Sequence, residues 1–131
     1  MLVLTLRINC FGSQQVVSED RTMKMILFDG DCAGPYFSGT VLPGGVDTQT
    51  ILPDGTLTSL SARYMLEGTT ASGQPARLFV ENNRCPGEKL THPRIVTDSP
   101  ELRWLEREEL WGRIVTRDGQ LTIELFNGKP E

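Results

Sequence analysis

Apolar and polar residues alternate with a period of two from the first positions of the chain. Leu2, Leu4, Leu6 and Ile8 stand against Val3, Thr5, Arg7 and Asn9. Side chains of an extended strand point alternately to opposite faces, so this pattern predicts a half-buried strand. The same reading places further strands at residues 23–28, 36–42, 46–52, 57–67, 74–83, 111–117 and 121–126. In the long run at 57–67, Leu60, Ala62, Tyr64 and Leu66 share one face, and Ser59, Ser61, Arg63 and Met65 the other. Turn-forming clusters separate these runs: Asp29-Gly30-Asp31, Pro43-Gly44-Gly45, Pro53-Asp54-Gly55, Ser72-Gly73 and Asp118-Gly119. An Asp-Gly between two alternating runs is a strong hairpin signal. The pattern predicts an all-β protein, a single domain over residues 1–131 whose antiparallel sheet closes on itself as a barrel. Closure also removes exposed sheet edges.

One segment departs from the alternation. Ser99-Pro100-Glu101 combines a capping hydroxyl, a proline suited to a first helical turn and an acid near the helix N-terminus. With Leu102, Leu105, Glu106 and Glu109 following, it predicts one or two helical turns lying across a barrel end. Residues 84–93 read as a loop.

Composition narrows the function classes. A chain of 131 residues with 38% hydrophobic content buries a core of its own. The apolar run at 2–6 is too short for a secretory signal core, and no stretch approaches the ~20 apolar residues that cross a bilayer. The expectation is a soluble, cytoplasmic protein. Net charge is −4 and the Lys and Arg residues are scattered, which argues against nucleic acid as a partner. Cys10, Cys32 and Cys85 are odd in number and widely spaced, so free thiols in a reducing compartment are expected.

Candidate chemistry concentrates at Asp47 and Gln49. Two residues apart in a strand, they project to one face. A carboxylate at a barrel mouth has its pKa raised by desolvation, bringing proton transfer toward neutral pH, while an amide beside it orients a ligand oxygen. The bland alternative has Asp47 accepting backbone N–H bonds from the Gly44-Gly45 turn or pairing with Arg63. Arg63, beside the small Ser59 and Ser61, has room for a buried ion pair or an anionic or carbonyl-bearing ligand; a surface position is equally compatible. Tyr64 falls on the apolar face, which reads as core. Tyr36 reads as core too, with the option of a hydroxyl turned toward a cavity.

Other motifs carry less. His92 is the single histidine, which excludes a multi-histidine metal site, and a Cys85–His92 nucleophile pair rests on sequence proximity alone. Asp29-Gly30-Asp31 fails as a calcium loop because Ala33 and Thr40 stand where oxygen ligands are required. Pro43-Gly44-Gly45 lacks the Gly-Lys-Ser/Thr of a phosphate loop. The run from Glu106 to Glu109 reads as a solvated face.

Taken together, Gly34-Pro35, Gly39, Pro43-Gly44-Gly45, Asp47, Gln49, Asp54-Gly55, Ala62-Arg63-Tyr64, Pro93-Arg94, Thr97 and Trp104-Leu105 resemble a known family. It comprises the bacterial and fungal proteins grouped as domain of unknown function 3237. The resemblance implies a barrel of about eight to ten strands with a pocket at one end, similar to the allene oxide cyclase and dirigent barrels. It implies a polar mouth of Asp47, Gln49, Arg63 and Arg94, with Trp104 as a wall. Some fungal members act as cofactor-free cyclases that add a hydroxyl across a double bond. The chain departs from the family pattern at Thr48, Ile95 and Glu106, and at Ser72-Gly73-Gln74. These departures touch the presumed rim and leave the substrate open.

Two function classes follow. The first is a cofactor-free cyclase or isomerase of an oxygenated, largely apolar metabolite, with Asp47 moving the proton and Arg63 and Gln49 holding the substrate oxygen. Ligand contacts would then extend to Tyr36, Arg94 and Trp104, with no metal and no membrane partner. The second is a non-catalytic barrel that binds a small-molecule ligand. A structural subunit of a homo-oligomer, its barrel filled by its own side chains, is the weaker third reading.

Overall fold

The computed structural model describes all 131 residues. Nine strands follow one another: β1 (Leu2–Val17), β2 (Thr22–Ala33), β3 (Phe37–Val41), β4 (Val46–Ile51), β5 (Leu57–Thr70), β6 (Pro75–Arg84), β7 (His92–Thr97), β8 (Trp111–Arg117) and β9 (Gln120–Phe126). A 3₁₀ turn, Arg103–Arg107, separates β7 from β8. All pairings are antiparallel, in the order β7-β6-β5-β3-β2-β1-β9-β8. β3 and β4 share one place between β2 and β5: β3 pairs with Asp31 and Cys32, and β4 pairs with residues 22–27. One bridge closes the circle. Thr91 and Gly112 exchange both backbone N–H···O bonds, each at 2.9 Å, joining the chain just before β7 to β8. The result is an all-β, antiparallel barrel.

Gly112 is what permits that seam. A Cβ there would overlap Oγ1 of Thr91 and crowd the Asn82 amide and the Leu125 side chain. The missing side chain of Gly112 leaves the space that the Thr91 hydroxyl occupies across the bridge. The Asp118-Gly119 hairpin between β8 and β9 has positive φ at both residues, 51° and 77°. This is the geometry of the two-residue turn whose twist matches the flanking strands.

The inward rows make the core. Leu6, Leu66, Leu78, Val80 and Leu125 are fully buried, and Phe28, Phe37, Tyr64 and Ile95 pack with them. Leu102, Leu105 and Leu110 join the same cluster from the segment around the 3₁₀ turn. The expected helical element is thus a single 3₁₀ turn. Ser99 accepts the Leu102 N–H through its hydroxyl at 3.3 Å, and Glu101 bonds Thr70 Oγ1 at 2.8 Å on the β5–β6 hairpin.

Several local expectations change. Val3, not Leu2, is buried with Leu4, because the β1–β9 register shifts between Leu2 and Leu4. β1 runs on to Val17 and β2 continues through Asp29-Gly30-Asp31, which is therefore not a turn. Arg7 bonds both carboxylate oxygens of Asp31 at 2.8 and 2.6 Å, and Asn9 bonds Asp29 at 3.0 Å. β7 begins inside the stretch read as a loop; its Pro93 is tolerated because the strand lies at an edge of the pairing order. No helix is long and apolar enough to cross a membrane.

Candidate functional site

A cavity of about 240 Å³ opens inside the barrel, walled mostly by apolar side chains of β1, β2, β5, β8 and β9. Strand registers sort its wall into levels. Gln49, Leu60 and Arg84 are neighbours across β4, β5 and β6. One step deeper, Ile26, Asp47, Ala62 and Asn82 form the next row. Deeper again, Phe28 and Tyr64 meet edge to face with centroids 5.5 Å apart. Exposure falls in the same direction: Leu57 and Ile114 are partly open, while Asn82 and Tyr64 are each 5% exposed. Ala62 keeps the middle row short between Asp47 and Asn82, which leaves the space.

The polar groups of this wall are under-satisfied. Asp47 Oδ2 accepts a bond from Gln49 Nε2 at 2.9 Å. Its Oδ1 is buried with no partner, and so are the Tyr64 hydroxyl and Oδ1 of Asn82. Nearly all buried polar atoms in native proteins find a partner, so three orphans on residues that line one cavity mark it as a place for a ligand's own polar atoms or for water. Burial pushes the Asp47 carboxyl above its ordinary range; the Gln49 bond and the charge of Arg84 pull the other way without cancelling it. Burial pushes the Tyr64 hydroxyl far up, so it stays protonated and able to donate. Cys10, an exposed residue at the edge of the wall, has its thiol pKa raised by partial desolvation of the sulfur and by the charge of Asp47, which makes it a poor nucleophile.

Asp47 and Gln49 therefore stand together on the cavity wall. The other sequence-derived candidates do not join them. Arg63 is exposed on the outer face: it pairs in register with Val46 and Glu81, while its neighbours Ala62 and Tyr64 turn inward. It cannot clamp a substrate beside Asp47 or form the ion pair considered for it. Arg94 continues that outer row and reaches Glu81 at 3.4 Å, with its side chain 62% exposed. Tyr36 and Trp104 meet edge to face at 5.0 Å away from the cavity, with the Tyr36 hydroxyl against Met1 Sδ at 3.6 Å. They help cap the end covered by the 3₁₀ turn. For the two arginines the physical reason is that core and site share the inward face of a hollow barrel, so residues opposite the apolar row lie outside; Tyr36 and Trp104 instead pack on the core at the barrel end.

Sequence reading missed Asn82 and Arg84; Tyr64 is core as read, and lines the cavity as well. The signal was present in β6, where the inward row Ala76, Leu78, Val80 turns polar at Asn82 and Arg84. A row that leaves the apolar pattern without leaving the strand marks a wetted interior. His92 is outside this site; it bonds the Glu88 carboxylate at 2.9 Å and tilts against Trp111. No group of three or more His, Cys, Asp or Glu side chains gathers to hold a metal.

Comparison with known proteins agrees with this architecture. The family described as Protein of unknown function (DUF3237) matches residues 2–83. A UPF0311 protein of Clostridium acetobutylicum is 30% identical, the match covering 72% of this chain and 68% of that protein. The crystal structure of a protein with unknown function from Clostridium acetobutylicum superposes with a TM-score of 0.74 at 25% identity, covering 95% of both chains. That of an enzyme from Penicillium herquei superposes at 0.69 with 18% identity, covering 96% of this chain and 92% of the other. The last likeness is one of fold.

Proposed function

The chain belongs to the DUF3237 family, and on that premise we propose that its barrel binds a small, largely apolar, oxygen-bearing molecule and isomerises or cyclises it with Asp47 as the proton carrier. One observation carries this reading: Asp47, Tyr64 and Asn82 all line the apolar cavity, and each holds a buried side-chain oxygen with no partner in the protein. The cavity exceeds the roughly 150 Å³ that admits benzene in an engineered core, so a ring with a short substituent fits. This speaks against a barrel filled by its own side chains.

The chemistry follows from the three groups. A ligand carbonyl or hydroxyl oxygen accepts from the Tyr64 hydroxyl. Asp47, as carboxylate, takes a proton from the carbon next to that carbonyl while the electron pair moves onto oxygen. Returned to a different carbon, the same proton completes an isomerisation with no net change in composition. In the cyclising direction, the carboxylic acid of Asp47 protonates carbon as the substrate's own hydroxyl adds to a double bond and releases its proton to the carboxylate. Positioning by apolar walls and one group poised near the working pH are what such steps require.

The second reading, binding without chemistry, keeps the same contacts and drops the proton transfer. Thermal-shift screening of small unsaturated ketones and hydroxyketones, followed by product analysis with wild type and Asp47→Asn, separates the two. Turnover by wild type that Asp47→Asn loses supports catalysis; binding by both proteins without product supports the binding barrel.

A further inference from the structure

We infer that the molecule held in this barrel carries an anionic group, a carboxylate, which docks on Arg84 at the cavity mouth while its apolar body reaches inward toward Asn82 and Tyr64. The inference rests on the barrel being a small-molecule site, and adds to it the chemical class of the ligand.

Arg84 differs from the other arginines that the fold engages. Arg7, Arg77, Arg94, Arg113 and Arg117 each have a carboxylate partner. Those pairs, made with Asp31, Glu67, Glu81 and Glu124, lie away from the cavity wall. Arg84 is half-buried, lines the cavity and forms neither an ion pair nor a side-chain hydrogen bond within the protein. Arg21, Arg63, Arg103 and Arg107 are also without an ion pair, but they are exposed to water, which solvates them. A guanidinium drawn partly out of water and left without an acceptor is costly unless something supplies one.

Nothing on the wall does so. Asp47 is the single acidic residue of the lining, it stands one row deeper, and it is bonded to Gln49 instead. Arg84 acts on it only through space, as one of two influences holding the Asp47 carboxyl down. Gln49 shares the row of Arg84, two strands away, and Lys24 pairs in register with Gln49 on β2. The mouth is thus lined by a guanidinium and an amide, with a further cation on the adjoining strand. A guanidinium offers two parallel N–H donors that match a carboxylate.

The spacing fixes the ligand's shape. From the Leu60 row, which holds Arg84, to the Tyr64 row is four residues along β5, about 13 Å of backbone at the usual rise. With the reach of the two side chains taken off, a carboxylate at one end and an oxygen function at the other fit a molecule of one ring and a short chain.

Binding of phenylbutyrate and of its neutral amide, phenylbutyramide, tests this at neutral pH by titration calorimetry on wild type, Arg84→Gln and Arg63→Gln. The expected result is a preference of wild type for the carboxylate of about tenfold or more. Arg84→Gln loses that preference while still holding the amide, and Arg63→Gln keeps it. Amide binding equal to carboxylate binding in wild type overturns the inference and leaves the small-molecule site standing. A preference that survives in Arg84→Gln also overturns it. Failure of both probes to bind wild type removes the site itself, and the inference with it.

Discussion

Gln49 donates to one oxygen of Asp47 at 2.9 Å and leaves the other oxygen of that carboxyl buried and unpartnered. The pair is built by strand geometry, since residues two apart on β4 face the same way. It fixes the carboxyl's orientation on the cavity wall and leaves one oxygen without a partner. Because burial outweighs the Gln49 bond and the Arg84 charge, the proton is held to higher pH than on an ordinary aspartate.

That shift sets a pH dependence of stability. A carboxyl whose pKa is raised on folding binds its proton more tightly in the folded state. Stability therefore falls as pH rises from the ordinary aspartate range to the raised value, and stays lowered above it. Asp47→Asn removes the penalty and keeps an acceptor for Gln49. The variant is expected to melt a few degrees above wild type at pH 7, with the difference shrinking at pH values below the ordinary aspartate range. Circular-dichroism melts across pH check this; a variant that melts lower at pH 7 contradicts it.

Removing the Arg84 charge withdraws one of the influences that lower the Asp47 pKa. Carbon-detected NMR titration of the Asp47 carboxyl should find its midpoint above the ordinary range in wild type and higher still in Arg84→Gln. A midpoint that drops in the variant would mean that Arg84 does not act on this carboxyl.

The seam between β7 and β8 depends on Gly112. Gly112→Ala forces a methyl into Thr91 Oγ1 and should cost about 1–3 kcal/mol, the range for overpacking a tight interior. Thr91→Ala removes the obstructing hydroxyl, itself buried without a partner, so the double variant should recover part of the loss. Urea unfolding of the four proteins gives the coupling directly. Additive losses would locate the strain elsewhere.

On the outer face, Arg63→Ala and Arg94→Ala should leave cavity binding unchanged and shift stability by no more than about 1 kcal/mol, as expected for exposed charged residues. Either variant losing the ligand would place a functional role outside the barrel.

How much of this was legible in the sequence depended on which faces are buried. Period-two alternation found β5 and the β8–β9 hairpin because one face of each packs inward while the other meets water. It lost β1 after Ile8, where residues 9–17 are exposed throughout and no alternation is imposed. It lost β7 behind a proline and a polar loop. At the site, Asp47 and Gln49 were readable because an acid and an amide two residues apart on one short strand share a face. Arg63 was placed beside them on chemistry, against the parity of its own strand, and the structure follows the parity. Asn82 and Arg84 were legible only as the apolar row of β6 turning polar; that this end of the row lines a cavity is set by its register with β5.

The central claim is that Asp47 moves a proton on a molecule held in the cavity. Its most direct test is deuterium uptake from D₂O at the carbon next to the carbonyl of a small cyclic enone, followed by NMR with wild type, Asp47→Asn and Arg63→Ala. Wild type and Arg63→Ala should accelerate the exchange above buffer, and Asp47→Asn should lose about 10²-fold or more of that acceleration. Exchange as fast in Asp47→Asn as in wild type, or none above buffer in wild type with the enone bound, would contradict it.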